Sequence, residues 1–345
     1  MKKMTLTLVA LAAGMLAGTA IAQNAQPPKA EPAMQKVLDA MAALKPKPIE
    51  TLTPAEARKQ PSAADAVKKV LSDAGQSTAP EPGVTMKTQT VQGKGGSFPV
   101  HIFTPEGTGP FPVIVYYHGG GFVIADTKVY EASVRALAKG AKAIVVSADY
   151  RLAPEHTFPT QPEDAFAAYK WAIENAKQFN GDPMRVAVAG ESAGGNLATV
   201  VSMMARDQKA QLPLHQLLVY PVVDNDMNNE SYKKNANAKP LNKAMMGWFF
   251  KHYGADPKSP YALPLKATSL KGLPPATVIT AEIDPLMTEG KAYADRLKKE
   301  GVTVNYRHFT GVTHEFFGMG AVVPKAKEAQ QFAADELAKA FNAKR

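Results

Sequence analysis

The chain of 345 residues contains no cysteine. That absence excludes disulfides, thiolate metal sites, lipidation on cysteine and a cysteine nucleophile. Tryptophan is nearly as scarce. The two present, Trp171 and Trp248, read as core or cap residues rather than cofactor platforms. The formal charge is +9, yet no block of five basic residues occurs, only scattered pairs such as Lys68-Lys69, Lys233-Lys234 and Lys298-Lys299. A basic balance without a patch is a trait of solubility and compartment, not a nucleic-acid footprint. No Gly-Lys-Ser/Thr P-loop and no Gly-x-Gly-x-x-Gly fingerprint appears, and His118, His156, His215 and His252 lack the His-Glu-x-x-His spacing. No metal and no cofactor is expected.

What is present is ordinary for a globular chain: 45% hydrophobic and 21% charged residues. The length suits one large α/β domain with an additional piece. A homodimer is compatible with these numbers. Residues 1–22 read as a signal peptide. Lys2 and Lys3 form a charged start, 6–16 an apolar region and Ala20-Ile21-Ala22 a small-x-small cleavage site before Gln23. The apolar stretch is interrupted by Gly14 and Gly18 and is short for a membrane span. Cleavage removes Lys2 and Lys3, lowering the charge from +9 to +7. The mature protein is therefore expected to be exported, periplasmic or secreted, with no stable membrane anchor.

Residues 23–34 form a Pro/Ala/Gln-rich linker. Three short helices follow within 35–80, over 34–44, 55–59 and 63–74. Thr53-Pro54 and Ser62 supply N-cap signals for the second and third. They are too small to be a domain and should pack on the main one, residues 81–345. There the pattern changes to strands over 85–91 and 100–104, joined by a Gly93–Gly96 turn, then a continuous apolar run over 113–117. Strands over 143–148, 185–189, 217–223, 276–280 and 305–309 alternate with helices over 131–139, 164–178, 195–206, 289–299 and 325–339. A hairpin followed by strand–helix alternation predicts the α/β class: a mostly parallel sheet flanked by helices on both faces. Residues 224–254 interrupt the alternation with an Asn-rich loop and an apolar helix over 245–253, an insertion placed to act as a lid.

The chemistry concentrates around Gly190-Glu191-Ser192-Ala193-Gly194. A serine between glycines, at a strand-to-helix turn, is the nucleophile-elbow pattern. The glycines are needed because the turn is strained and crowded. Upstream, His118-Gly119-Gly120-Gly121-Phe122 follows a strand, and its glycines leave backbone N–H groups unobstructed for an oxyanion. In such sites the residue after the nucleophile, here Ala193, supplies the other donor. With the order serine, acid, histidine, the base must be His308 or His314. His308 alternates within a strand and reads as structural, whereas His314 lies in the loop beyond it. Neutral imidazole near pH 7 can take the serine proton and return it. The acid should leave the preceding strand, where Asp284 and Glu282 both qualify. Asp284 precedes Pro285, so it also reads as a helix-start residue, and the two roles are compatible.

Taken together, HGGGF at 118–122, DYRLAPE at 149–155, GESAGG at 190–195, SPYALP at 259–264, EIDPL at 282–286 and the histidine of GVTHEF resemble one family. It is the hormone-sensitive-lipase-like, or bacterial family IV, esterases of the α/β-hydrolase fold. The resemblance runs from about residue 35 to the C-terminus. It implies Ser192, Asp284 and His314 as triad and Gly120, Gly121 and Ala193 as oxyanion hole. It also implies a cap, built from the N-terminal helices and the insertion, that lines the acyl pocket. The expected activity is serine carboxylesterase action on short- to medium-chain acyl esters through an acyl-enzyme. Deacetylation of sugars and amide or carbamate hydrolysis would use the same triad, and a ligand-binding relative without catalysis is the remaining reading. Two positions depart from the family pattern: Glu191, where Asp is commoner, and Glu315, where Gly is usual. Glu315 brings a carboxylate near the base and should change its pKa. Arg151 and Glu155 read as a structural ion-pair network behind the site.

Overall fold

Eight extended runs form one sheet in the computed structural model, which describes Met1 and residues 28–343. The expected leader, 1–22, and the linker as far as residue 27 lie outside the described residues, Met1 apart. The strands are β1 Val84–Gly93, β2 Gly96–Pro105, β3 Phe111–Tyr117, β4 Ile144–Ala148, β5 Gly181–Glu191, β6 Gln216–Val219, β7 Ala276–Ile283 and β8 Val304–Thr313. They lie in the order β1-β2-β4-β3-β5-β6-β7-β8. β2 pairs antiparallel with β1 and β4, and every other pairing is parallel. The hairpin turns at Lys94-Gly95, where Gly95 takes φ +81 at no steric cost. Residues 113–117 are each at most 1% exposed, as a strand covered on both faces requires.

Three helices precede the sheet: α1 Pro32–Ala43, α2 Pro54–Ala57 and α3 Ala63–Asp73. Those between strands are α4 Glu131–Gly140, α5 Thr160–Asn175 and α6 Ala193–Asp207. α7 Glu230–Lys234 and α8 Lys243–Tyr253 lie in the insertion after β6, and α9 Met287–Lys299 and α10 Pro324–Asn342 end the chain. Apolar side chains of α1, α3, α4 and α10 bury against one face of the sheet, and those of α5, α6 and α9 against the other. A third cluster joins Ile49 and Ala57 to Leu241, Met246, Trp248 and Phe249, with Val123 after β3 and Leu286 after β7. It links the early chain to α8, and the Trp248 indole N–H fixes the pair by donating to the Leu52 carbonyl at 3.1 Å.

The expected caps form: Thr53 with Glu56 and Ser62 with Asp65 each close a reciprocal capping box. Element ends shift by a few residues in several places, β5 starting at Gly181 and β8 running to Thr313, and three differences from expectation have a visible cause. α1 begins at Pro32, inside the stretch read as linker, because the Glu31 N–H is held by the Gly311 carbonyl at 2.8 Å and proline suits a first helical turn. β6 ends at Val219 rather than 223, since Pro221 has no N–H and the Val222 N–H turns to the Ser192 carbonyl. α7 was not anticipated; the Asn229 side chain caps it by accepting the Tyr232 N–H.

Candidate active site

β3, β5, β7 and β8 are parallel, so their C-terminal ends open on one edge of the sheet, where side chains from distant segments converge. Ser192 follows β5 directly and sits at φ +57, ψ −118, a conformation that costs a non-glycine residue strain. Its N–H donates to the Val219 carbonyl at 2.9 Å, so β6 holds the elbow in place. The flanking glycines have no substitute. A Cβ on Gly190 would lie 2.1 Å from the Gly194 carbonyl oxygen, and one on Gly194 only 1.9 Å from that of Tyr117.

His314 follows β8 and Asp284 follows β7, and both are buried. The imidazole Nε2 lies 3.0 Å from Ser192 Oγ and Nδ1 lies 2.7 Å from Asp284 Oδ2. The arrangement selects the tautomer with Nδ1–H donating to the carboxylate, leaving Nε2 to accept the serine hydroxyl. The other carboxylate oxygen of Asp284 accepts the Leu286 N–H at 2.8 Å in the turn ahead of α9, whose N-cap is Leu286 with no side-chain cap. Asp284 therefore holds the turn and the histidine but is not the helix cap that Asp-Pro suggested. Asn235 adds a hydrogen bond to the Asp284 backbone carbonyl at 3.0 Å. Glu282, the competing acid, points elsewhere: its Oε2 accepts the Gly311 N–H at 2.8 Å and ties β7 to β8. His308 is the strand residue expected, with Nδ1 3.0 Å from Thr280 Oγ1.

After β3, Gly120 and Gly121 take φ +94 and +59. A Cβ on Gly120 would meet the Ile124 carbonyl at 2.2 Å, and one on Gly121 the Phe249 ring at 2.2 Å. Among the described residues, no protein acceptor is found for the N–H groups of Gly120, Gly121 or Ala193. They remain available to a ligand oxygen. His118 braces the loop from below: it stacks on Tyr150 at 4.3 Å, and the Tyr150 hydroxyl donates to the His118 carbonyl at 2.9 Å. The 149–155 motif thus supports the loop. Asp149 accepts the Thr127 N–H at 2.8 Å, and Arg151 pairs with the fully buried Asp164 at 2.7 Å. Arg151 and Glu155 do not form one network. Glu155 pairs instead with Arg58, whose guanidinium also reaches the carbonyls of Val123 and Ala153 at 2.8 and 2.9 Å.

The two departures from the family pattern prove to be neighbours in space. Glu191 is fully buried under the elbow and accepts hydrogen bonds from the hydroxyls of Tyr116, at 2.6 Å, and Tyr220. Burial, and then the nearby Glu315 carboxylate, push its pKa up to about 7. Glu315 accepts the Tyr130 hydroxyl at 2.6 Å and stands 3.9 Å from His314 Nε2. Burial raises its pKa as well. At His314 burial works to lower the pKa, but the Asp284 carboxylate, then Glu315 and Glu191, outweigh it and hold the imidazole above its ordinary value.

A cavity of about 400 Å³ opens onto Ser192, Gly120, Gly121 and His314. Most of its other walls come from 38–63 and 239–249, among them Leu38, Met41, Ile49, Met246 and Phe249, with Val129, Tyr130 and Glu315 beside the histidine. Asn196 donates to the carbonyls of Val222 and Ala262 at 2.8 and 2.9 Å, tying the SPYALP run to the first turn of α6. Among the described residues, no group of three or more His, Cys, Asp or Glu is arranged to hold a metal, and no helix is long and apolar enough to cross a membrane. Sequence reasoning missed Tyr116, Tyr130, Tyr220, Asn196 and Asn235. Each acts on a partner at least 26 positions away, and no local spacing announces such a pair.

Comparison with known proteins agrees with this geometry. Residues 114–318 match the model of a family described as having the alpha/beta hydrolase fold. The carboxylesterase NlhH of Mycobacterium tuberculosis is 40% identical over 262 residues, covering 73% of this chain and 82% of that protein. The ethyl acetate hydrolase of Pseudomonas putida is 32% identical over 288 residues, covering 81% and 88%. A crystal structure of a thermostable esterase from Pseudomonas putida superposes with a TM-score of 0.82 at 35% identity, over 92% of this chain and all of that one. The strand order, the elbow between β5 and α6 and these likenesses have one explanation: the chain belongs to the α/β-hydrolase family, in its hormone-sensitive-lipase-like esterase branch.

Proposed function

We propose that the protein is an exported serine carboxylesterase that cleaves short- to medium-chain acyl esters through an acyl-enzyme. The observation that supports it is an unbroken hydrogen-bonded line, Ser192 Oγ to His314 Nε2 and His314 Nδ1 to Asp284 Oδ2, at the floor of an apolar cavity. In this reading His314 takes the Ser192 proton as Oγ attacks the ester carbonyl carbon. The oxyanion that forms is held by the N–H groups of Gly120, Gly121 and Ala193. His314 then hands its proton to the departing alcohol, and water repeats the sequence to release the acid. Asp284 holds the tautomer and stabilises the imidazolium without taking the proton.

The helices of 35–80 and the insertion 224–254 act in this reading as a cap over the acyl chain. The apolar side chains they contribute favour alkyl esters over acetylated sugars, and the complete serine–histidine–aspartate line argues against a ligand-binding relative without catalysis. The deciding experiment is a p-nitrophenyl ester series from acetate to laurate. Each methylene that enters the cavity adds roughly 0.8 kcal/mol of favourable transfer until the cavity is full. We expect kcat/KM to peak between acetate and octanoate and to fall by about tenfold at laurate. A steady rise through laurate would reject the chain-length assignment, and no turnover of any member would reject the activity. Export rests on residues 1–22. Expressed with its own N-terminus in a Gram-negative host, the protein should leave the cytosol and begin at Gln23; a cytosolic protein retaining Met1 would contradict it.

A further inference from the structure

We propose that Glu315 positions the water that releases the acyl group from Ser192, accepting one of its protons in a hydrogen bond while His314 takes the other. The inference rests on the esterase reading above and goes beyond it. Three observations carry it. Glu315 occupies φ +68, the left-handed region, where glycine is free and glutamate is strained, so the backbone gives no reason for a long acidic side chain there. Its carboxylate nevertheless reaches into the cavity beside Ser192, held by the buried Tyr130 hydroxyl at 2.6 Å. Tyr130 in turn is seated against the oxyanion loop: a Cβ on Gly119 would lie 2.3 Å from its hydroxyl. One strut therefore sets Glu315 relative to both the base and the oxyanion loop.

Glu315 Oε1 and His314 Nε2 are 3.9 Å apart. A water about 2.8 Å from each would see them at an angle of roughly 90°, near the angle between its own two O–H bonds. From there its oxygen attacks the carbonyl carbon of acyl-Ser192 while one proton moves to Nε2. The tetrahedral intermediate then collapses: the carbon–Oγ bond breaks, the Nε2 proton passes to Oγ and the free acid leaves. The second proton of the water stays on the new acid, its hydrogen bond to Glu315 having fixed the angle of attack. The charged groups facing His314 are Asp284 from the end of β7, Glu191 from β5 and Glu315 itself, with the Tyr220 ring 4.5 Å away and Tyr130 and Tyr116 bonded to the two glutamates. Glu315 thus also favours the imidazolium that forms as the proton arrives.

Methanol provides the test, because its single hydroxyl proton goes to His314 and none is left for Glu315. With p-nitrophenyl butyrate in aqueous methanol, the ratio of methyl butyrate to butyric acid is measured for wild type, Glu315→Gly and Glu315→Gln. Glu315→Gly should raise that ratio about fivefold or more by slowing hydrolysis, as for one lost hydrogen bond to a charged group, and Glu315→Gln should fall between it and wild type. The acid limb of kcat/KM should move to lower pH in both, since removing a negative charge makes the imidazolium harder to form. The glycine variant relieves the φ strain, and the glutamine variant keeps an acceptor for Tyr130, so either can carry the comparison if the other fails to fold. An unchanged product ratio in a folded variant that turns over would overturn the proposal. Failure of wild type to release p-nitrophenol would instead overturn the esterase reading.

Discussion

Ser192→Ala is expected to lower kcat by about 10⁵-fold while leaving the folded state almost untouched. The alanine keeps the elbow backbone at φ +57, and the N–H of residue 192 still donates to the Val219 carbonyl. Only Oγ is lost, and with it the atom 3.0 Å from His314 Nε2. The residual rate should be that of the oxyanion donors and binding alone. Single-turnover release of p-nitrophenol and a thermal melt on the same preparation measure both quantities. Activity retained to within tenfold, at an unchanged melting temperature, would remove Ser192 from the chemistry.

Asp284→Asn should cost about 10³- to 10⁴-fold in kcat, and Glu282→Gln less than about threefold. The two acids stand two residues apart at the end of β7, yet their surroundings differ. Asp284 is fully buried and hydrogen-bonded to His314 Nδ1 at 2.7 Å, so an asparagine there favours the wrong imidazole tautomer and leaves Nε2 protonated, unable to accept the serine proton. Glu282 accepts a backbone N–H from Gly311, a bond the glutamine carbonyl can replace. The measurement is kcat for both variants on one activated ester. A larger loss in Glu282→Gln than in Asp284→Asn would transfer the acid role to Glu282.

All eight strands and both glycine-rich turns were legible in the sequence because they are written locally. Period-two and continuous apolar runs mark strands, and Gly190, Gly194 and Gly119 to Gly121 mark places where the backbone passes too close to something for a Cβ. The candidate base was legible for another reason. Chain order excluded every histidine but two, and alternation within a strand excluded His308. The acid was not decided this way. Asp284 and Glu282 present the same chemistry two residues apart, and only the family resemblance separated them before the structure did.

By itself, then, the sequence determined the fold class and marked the glycine-flanked serine, the glycine-rich loop after β3 and a short choice of candidate histidine and carboxylate, since each rests on local backbone demands or chain order. Tertiary structure alone decided which carboxylate faces His314, that Arg151 binds Asp164 while Glu155 binds Arg58, and that Glu191 and Glu315 share one patch of three tyrosines. The physical reason is the parallel sheet. Crossover connections bring strand ends from residues 117, 191, 283 and 313 to one edge, and side chains there acquire partners that no spacing along the chain encodes. A glutamate where the backbone favours glycine reads in the sequence as a local oddity; beside His314 Nε2 and the Tyr130 hydroxyl it becomes a group within reach of the attacking water.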